Sequence, residues 1–411
     1  MPKLELLEKY AKLIVEVGAN VQKNQMVVVE APTDTKELTR LIVKAGYNAG
    51  AKGVLVLWSD PYVSRYDYEG KSIENLELVP EWEINRMKYL IENNGCLISV
   101  SSPVPEVNKG VDPIKMQRAG IAKMKSLKFV QEYMMENHTQ WTMAAAPNKA
   151  WAKKVFPNID EEEAVETLWE AILNSSHVTE NNDPIKEWED HNRRLLSRNK
   201  KLNDFQFDSL HFKNGLGTDL RIKLVENHIW AGGGETTTKG VYFNPNIPTE
   251  ENFTMPDKFG AEGKVFATKP LDYQGNQIEN FWLEFKEGKV VNYYAEKKLE
   301  TLKNILEFDE GSVRLGEVAL ISYNSPINKT GILFFNTLFD ENASCHLALG
   351  RAIPWNIKGG TAMTPDELTA AGGNLSMLHI DLMFGSKDMQ VEGIQKEGKK
   401  VVIFKDGDFV I

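Results

Sequence analysis

The sequence is poor in cysteine and has no long apolar run. Its 411 residues include two cysteines, Cys96 and Cys345. Small secreted proteins that depend on disulfides carry more, so we expect a reducing, cytoplasmic location. No apolar stretch approaches the roughly 18 residues that a membrane-spanning helix needs. Residues 4–15 place apolar side chains at helical spacing among charged ones, which predicts an amphipathic helix and not a signal peptide.

The sequence also has fewer positively charged than negatively charged residues. Lys and Arg total 48 against 58 for Asp and Glu, which gives a formal net charge of -10. Proteins that bind nucleic acids concentrate positive charge, so we expect no nucleic-acid partner. The glycine patterns that hold dinucleotides or nucleotide phosphates are missing as well. A nucleotide-binding function is therefore disfavoured, although part of the chain is predicted to have an α/β fold.

The length predicts two domains, because a chain of this size exceeds one compact core. In residues 1–200, short apolar runs alternate with helical segments, which predicts an α/β domain with a mainly parallel sheet. Residues 201–411 read as a strand-rich α+β domain with hairpins over 210–224 and 281–295 and a helix over about 296–306. The glycine-rich run 231–240 reads as a flexible loop or a plain connection.

The most informative segment is NLSMLHIDLMFG, residues 374–385. Its apolar residues alternate with His379 and Asp381, so on a strand these two side chains share one face. A carboxylate in apolar surroundings needs a compensating partner, which can be a metal ion or an arginine or lysine. Cys345 and His346 are adjacent and face opposite ways on a strand, so a cysteine nucleophile paired with that histidine is excluded.

Three other segments carry further candidates. SCHLALG places His346 in an apolar strand, and GEVALIS places Glu317 after a glycine at the mouth of another. NIPTEENFT places Glu250 and Glu251 after Pro-Thr, where acidic residues could equally stabilise the start of a short helix. His346 could be a core histidine and Glu317 a surface charge. The remaining histidines, including His191 and His228, lie in polar or mixed segments and are predicted to be exposed.

These four segments, in this order and roughly at this spacing, resemble those of the M29 metallopeptidases over the whole chain. The resemblance implies a metal-dependent aminopeptidase that removes N-terminal residues from short peptides, works as a homodimer and uses two divalent ions. It implies metal ligands at five positions, which are Glu251, Glu317, His346, His379 and Asp381. Imidazole with carboxylates suits Zn, Co or Mn, and a bridging carboxylate, best assigned to Glu317, fits two ions. Glu250 or Glu251 could accept the proton of the attacking water.

One position departs from the family pattern. Relatives carry a tyrosine seven residues after the CHLALG histidine, and this chain has Ile353 there. That tyrosine is thought to stabilise the reacting carbonyl or a metal. Arg351 could supply a substitute contact, or it could be a surface residue. Two rival functions stay open: a binuclear amidase or esterase acting on small molecules, and a catalytically silent dimer that binds metal or peptide.

Overall fold

The computed structural model describes residues 2–273 and 276–411, with the side chain of Met135 excepted. The residues divide by their contacts into two compact units. The first comprises Met1–Asp190 and Gly234–Pro248, and the second comprises His191–Gly233 and Thr249–Ile411. No helix in the described part of the chain is both long enough and apolar enough to cross a bilayer.

The first unit is built on a four-stranded parallel sheet in the order β2-β1-β3-β4. Its strands are β1 (Met26–Pro32), β2 (Gly53–Ser59), β3 (Cys96–Ser101) and β4 (Trp141–Ala145). Its helices are α1 (Leu4–Leu13), α2 (Lys36–Asn48), α3 (Pro61–Gly70), α4 (Ile73–Glu77), α5 (Glu81–Glu92), α6 (Pro113–Ser126), α7 (Lys128–Met135), α8 (Lys149–Val155) and α9 (Glu161–Ser175). The mainly parallel sheet predicted from the alternating apolar runs is confirmed.

The chain passes from one unit to the other within the next elements along the sequence. They are α10 (Pro184–Phe205), β5 (Ser209–Lys213), β6 (Asp219–Leu224), β7 (Glu235–Thr236) and β8 (Tyr242–Phe243). The strands β7 and β8 pair with each other and belong to the first unit. The predicted boundary near residue 200 falls inside α10, which begins in the first unit and ends in the second.

Antiparallel strands dominate the second unit, as the sequence predicts. They are β9 (Asn252–Thr254), β10 (Pro256–Phe266), β11 (Leu271–Tyr273), β12 (Asn276–Lys286), β13 (Lys289–Lys297), β14 (Leu315–Leu320), β15 (His346–Gly350), β16 (His379–Met383), β17 (Gln390–Ile394), β18 (Lys400–Lys405) and β19 (Asp408–Phe409). The helices are α11 (Leu299–Leu306), α12 (Pro326–Lys329), α13 (Thr337–Asp340) and α14 (Pro365–Ala370).

These strands form two sheets. A nine-stranded sheet follows the order β11-β12-β10-β6-β5-β17-β18-β19, with β13 also paired to β12. A smaller sheet has the order β16-β15-β14-β9, and all its pairs are antiparallel. The predicted hairpins are the pairs β5–β6 and β12–β13. Buried phenylalanines, including Phe212, Phe281 and Phe384, fill the apolar core of this unit.

One predicted helix is present but starts later than expected, and one local prediction is wrong. The helix expected to start at about residue 296 begins at Leu299, because β13 continues through Lys297 and Lys298 adopts a left-handed φ of 61° that separates strand from helix. The helical turn considered around Glu250 does not form either. Residues 246–251 follow an irregular path into β9, so a helix start does not explain the two glutamates.

Candidate metal centre

The small antiparallel sheet sets most of the candidate ligands side by side. Glu317 of β14 lies opposite Ala348 of β15, which in turn lies opposite Asp381 of β16. Residues two apart on a strand share a face, so His346 joins this row from β15 and His379 joins it from β16. Ala348 is small enough to leave space between the two flanking carboxylates. One face of the sheet therefore presents two imidazoles and two carboxylates.

A β-bulge sets the direction of Glu317. The register between β14 and β15 shifts between Leu315 and Glu317, which leaves Gly316 as the extra residue. A Cβ at Gly316 would lie 2.3 Å from the carbonyl oxygen of Arg351, so only glycine permits this approach. A bulge of this kind redirects the next side chain and is common beside functional sites. Glu317 lies inside a fully buried strand, not at its mouth as the sequence suggested.

Glu251 completes the cluster from the residue before β9. The Nε2 atom of His346 lies 3.3 Å from Glu317 Oε1, 3.5 Å from Glu251 Oε2 and 4.0 Å from Asp381 Oδ1. The Nε2 atom of His379 lies 3.6 Å from Glu317 Oε2 and 3.5 Å from Asp381 Oδ1. The five side chains form two groups of potential ligand atoms, each within 4.8 Å, and Glu317 belongs to both.

Both imidazoles are oriented by backbone carbonyls. Nδ1 of His346 donates to the carbonyl oxygen of Glu341 at 3.0 Å, and Nδ1 of His379 donates to that of Arg351 at 2.8 Å. A proton held on Nδ1 leaves Nε2 as the atom that can bind a metal. Histidine ligands in metalloproteins are fixed in this way by a hydrogen bond from their other ring nitrogen. The hydrogen bonds therefore direct both Nε2 atoms toward the carboxylates.

The electrostatics of the cluster favour added positive charge. Burial and the charge of Glu317 raise the pKa of Glu251 to about 8. Burial by itself would lower the pKa of His346, but the hydrogen bond that its imidazole donates to Glu317 and the charge of Asp381 raise it to about 10. His379 likewise overcomes burial through its hydrogen bond and charge interaction with Asp381, and its pKa rises to about 10.

Protons on these groups balance the crowded carboxylates. Divalent cations would balance the same carboxylates and displace those protons, because metal ligands bind in their deprotonated forms. The donor set contains only imidazole nitrogen and carboxylate oxygen. The nearby Cys345 is not directed into it, since its Sγ donates to the carbonyl oxygen of Ile321. These side chains thus fit a centre for divalent metal ions that bind nitrogen and oxygen ligands.

Glu341 is a member of the site that sequence reasoning missed. It lies in the short 3₁₀ turn Glu341–Ala343. Burial and the charges of Asp381 and Glu251 raise the pKa of its carboxyl group well above the usual value. The next residue, Asn342, is fully buried and its Oδ1 accepts the backbone N–H of Glu250 at 2.8 Å. The sequence shows only that an acidic residue stands five positions before His346. Glu341 lies outside the strand, so strand periodicity cannot place its side chain on the same face as His346.

Glu250 points to different surroundings from its neighbour. It is buried, but it belongs to neither of the two ligand groups that contain Glu317 among the described residues. Burial lowers the pKa of Arg198 in α10, and the nearby carboxylate of Glu250 opposes that shift. The structure thus brings together five of the six sequence candidates, and it places the side chain of Glu250 near an arginine.

Ile353, for which the family resemblance implies a tyrosine, packs among apolar side chains. It contacts an apolar cluster that contains Phe253, Ala319 and Ile321. Ala319 lies two residues after Glu317, on the same face of β14. The Ile353 side chain thus packs against a cluster that includes a residue of β14, and it offers no hydroxyl group. The residue Arg351, considered as a substitute, is exposed, and its carbonyl oxygen orients His379.

The start of the glycine-rich run holds the backbone beside Glu251. Ala231 and Phe253 exchange backbone hydrogen bonds of 2.9 Å in both directions. Gly232 has a φ of 136°, and a Cβ there would lie 2.0 Å from the carbonyl oxygen of Glu251. A close approach with positive φ requires glycine. In this part the run is a packed support for Glu251 and not a flexible loop.

Two histidines predicted to be exposed are buried. His191 lies in α10, and its Nε2 is 2.7 Å from the carbonyl oxygen of Thr249. His228 is buried next to Trp230, with its Nδ1 3.1 Å from the carbonyl oxygen of Val225. Mixed polarity along the sequence hid both: the partner of His191 is distant in sequence, and His228 lies in a short loop segment whose burial has no periodic pattern.

Comparison with known proteins identifies the family of the chain. The model of the thermophilic metalloprotease family, M29, matches residues 3–409. Aminopeptidase AmpS from Bacillus subtilis is 46% identical over 403 residues, and the match covers 98% of each chain. Aminopeptidase T from Thermus aquaticus is 39% identical over 99% of each chain. The solved structure of wild-type AmpT from Thermus thermophilus has a TM-score of 0.92 at 38% identity and covers 99% of each chain. The chain belongs to the M29 family of thermophilic metalloproteases.

Proposed function

We propose that this protein is a metal-dependent aminopeptidase that removes N-terminal residues from short peptides at a centre for two divalent ions. The observation that carries the proposal is the pair of ligand groups that share Glu317. One buried glutamate between two imidazole-containing groups is the arrangement that a bridging carboxylate requires. Family membership and the names of the aminopeptidase relatives support the activity.

The ligands divide between the two ions. Glu251 and His346 would hold one ion, His379 and Asp381 would hold the other, and Glu317, which belongs to both groups, would contribute to each. This donor set of imidazole and carboxylate suits Zn, Co or Mn. When bound, such ions lower the pKa of water and polarise the scissile carbonyl group.

The proton of the attacking water has to move to a carboxylate at the site. We assign this step to Glu341, because its carboxyl group lines a pocket beside Asp381 and interacts with the cluster without belonging to either ligand group. A buried carboxyl group with a raised pKa is suited to accept a proton and pass it to the leaving amine. Of the two candidates from sequence, Glu250 and Glu251, the second belongs to a ligand group, so Glu250 is the rival for this role. An adjacent carboxylate also suits recognition of the free α-ammonium group that an aminopeptidase substrate carries.

Removal and return of metal test the activity. After treatment with a chelator, the protein is assayed on leucine and arginine p-nitroanilides with Co, Zn or Mn added back. We expect metal-dependent release from substrates with a free amine and none from their N-acetylated forms. Equal rates on both forms would instead identify an amidase. Two bound equivalents of metal without turnover would favour the silent binding protein, for which Ile353 is the structural argument.

Two conservative variants separate the proton acceptor from the ligands. We expect Glu341→Gln to bind two equivalents of metal and to lose at least about 10²-fold in kcat, within the range of a general base. The matched control, Glu250→Gln, changes a neighbouring buried carboxylate and should keep most of its activity. The reverse result would assign the proton transfer to Glu250. The homodimer inferred from the family resemblance is part of the proposal, and sedimentation equilibrium measures it.

A further inference from the structure

The strand β16 lies at the edge of the small sheet. It carries His379 and Asp381, and among the described residues it pairs with β15 alone. His379 is its first residue and lies opposite Gly350, the last residue of β15. The chain that leads into β16, residues 371–378, forms neither helix nor strand. The position of His379 therefore depends on what holds this irregular segment in place.

The main chain of Arg351 contacts the start of β16 twice. Its N–H donates to the carbonyl oxygen of Leu378 at 2.7 Å, and its own carbonyl oxygen accepts Nδ1 of His379 at 2.8 Å. The preceding residue, Gly350, has a φ of 106°, and a Cβ there would lie 2.2 Å from the carbonyl oxygen of Leu378. The two segments are thus in close contact. A shift of the Arg351 backbone would therefore turn the imidazole of His379.

Asn374 holds the chain on both sides of Arg351. Its Nδ2 donates to the carbonyl oxygen of Gly350 at 2.6 Å, and its main-chain carbonyl oxygen accepts the N–H of Ala352 at 2.9 Å. The same side-chain amide donates to the carbonyl oxygen of Gly311 at 2.8 Å. Asn374 is 3% exposed, and a buried carbonyl that loses its donor is costly. The two peptide groups that flank Arg351 are therefore restrained by one residue.

Asp309 fixes the same irregular segment from the turn before β14. Its carboxylate accepts the backbone N–H of Met377 and the hydroxyl of Ser376, both at 2.8 Å. It also accepts the N–H groups of Gly311 and Ser312, both at 2.9 Å, which closes its own turn. One carboxylate therefore ties the turn before β14 to the chain before β16.

The other imidazole of the candidate centre is held by different groups. Nδ1 of His346 donates to the carbonyl oxygen of Glu341, in the 3₁₀ turn before β15. Within the described part of the chain, no hydrogen bond joins Glu341 to Asp309 or Asn374. The supports of the two imidazoles can therefore be separated by substitution.

We propose that Asn374 and Asp309 are positioning residues for one half of the candidate metal centre. They hold the start of β16 so that Nε2 of His379 faces the ion that this strand binds. The proposal rests on the proposed function, since it needs a centre for two ions. Loss of either residue weakens the ion at His379 and spares the ion at His346. Changes to the groups that support histidine ligands lower metal affinity by about 10–100-fold.

Cobalt binding to the metal-free protein, followed by visible absorption, tests the proposal. The wild type should bind two equivalents, and His379→Ala identifies which absorption change belongs to the ion on β16. We expect Asn374→Ala to bind that equivalent about tenfold more weakly and the other with unchanged affinity. Equal weakening of both equivalents, or of neither, overturns the proposal.

The matched control is Asn148→Ala in the first unit. The side-chain amide of Asn148 is also buried and donates to two main-chain carbonyls, those of Ser102 at 3.1 Å and Pro103 at 2.9 Å. None of the five candidate ligands lies in that unit. Asn148→Ala should therefore bind both equivalents as the wild type does, even where it lowers stability. A selective loss of the same equivalent in this control would also overturn the proposal.

Asp309→Asn tests the second support and covers the case in which Asn374→Ala does not fold, as judged by circular dichroism. It keeps the shape of the side chain and replaces one acceptor oxygen by a donor, so we expect the same equivalent to weaken about tenfold. The control Glu310→Gln removes the same charge from an exposed neighbour and should change neither equivalent. A wild type that binds fewer than two equivalents overturns the proposed two-ion centre. Two equivalents that Asp309→Asn affects alike overturn this inference alone.

Discussion

The parallel sheet of the first unit and the small antiparallel sheet of the second differ in what their buried strands carry. The buried side chains of the strand β3 are cysteine and apolar residues, and its two serines are half-buried. The strand β14 is buried along its whole length, yet Glu317 lies within it with 4% of its surface exposed. An unpaired buried charge costs far more than one strand can recover by packing. A carboxylate inside a buried strand therefore marks the sheet that has a chemical task, while the first sheet is explained by packing alone.

The largest expected effect comes from removing that carboxylate. Glu317→Gln should lose both ions and at least about 10³-fold in kcat/KM, because the residue belongs to both ligand groups. The matched control is Glu30→Gln, which changes an exposed glutamate on β1 of the parallel sheet and should change neither quantity. Metal content by elemental analysis and a p-nitroanilide assay measure both. If Glu317→Gln kept both ions, the buried carboxylate of the small sheet would not be needed for metal binding, and the proposed difference between the two sheets would be wrong.

Glycine substitutions probe the same contrast through the backbone. Gly232→Ala should displace Glu251, because the added Cβ would lie 2.0 Å from its carbonyl oxygen. Misplacement by about 1 Å costs on the order of 10² in rate, so we expect a loss of that size. Gly120→Ala on α6 of the first unit adds a Cβ with no atom within 4 Å, and it should keep full activity. Normal activity in Gly232→Ala would mean that the backbone beside Glu251 adapts.

A titration in the first unit should affect stability and not catalysis. Burial raises the pKa of Glu235 to about 7, against a hydrogen bond from Asn137 that opposes the shift. Because the folded state retains the proton longer than the unfolded state, this residue favours folding below about pH 4.5, and that contribution is lost as the pH rises through 7. At pH 8, Glu235→Gln should raise the free energy of unfolding by about 3 kcal/mol.

The pH dependence distinguishes the titration of Glu235 from a stabilising effect of the substitution that is independent of pH. At pH 4, wild-type protein and Glu235→Gln should unfold at similar urea concentrations, and their difference should appear between pH 4.5 and 7. The turnover of the variant at neutral pH should equal that of the wild type. A stability difference that is the same at both pH values would contradict the assigned titration.

The smallest expected effect concerns the missing tyrosine. Ile353→Tyr would place a hydroxyl group beside the apolar cluster that borders Glu317. One added hydrogen bond in the transition state corresponds to about a fivefold rise in kcat. The control Ile353→Phe adds the ring without the hydroxyl and should give no rise. A fall in both variants would show that packing against Phe253 determines the choice of isoleucine.

The sequence predicted the elements that local pattern determines. Apolar runs between helical segments identified the four strands of the parallel sheet, and the spacing of His379 and Asp381 placed both on one face of a strand. The pairing of β14, β15 and β16 could not be obtained in this way, because strands distant in sequence meet through long-range contacts. The resemblance to a family supplied the choice of Glu251 over Glu250, and the structure shows the two in different surroundings.

The misses have local physical causes. Glu341 was not found because a 3₁₀ turn leaves no periodic pattern in the sequence. Whether the Glu341 side chain lies near Asp381 depends on the path of the backbone from this turn into β15. Glu317 was expected at the end of a strand because a bulge cannot be read from a single glycine. His191 was predicted to be exposed because α10 is highly polar overall, although the imidazole faces the carbonyl oxygen of Thr249.

The hydrogen bonds of the two imidazoles have a consequence for how the site can evolve. Their acceptors are the main-chain carbonyls of Glu341 and Arg351, and every amino acid supplies a carbonyl. The orientation of the two imidazoles therefore depends on the backbone conformation at positions 341 and 351. It does not depend on which side chains these positions carry. A substitution at position 351 that keeps the path of the backbone should therefore keep the orientation of His379. Only changes that bend the backbone, through proline or an insertion, would be selected against there.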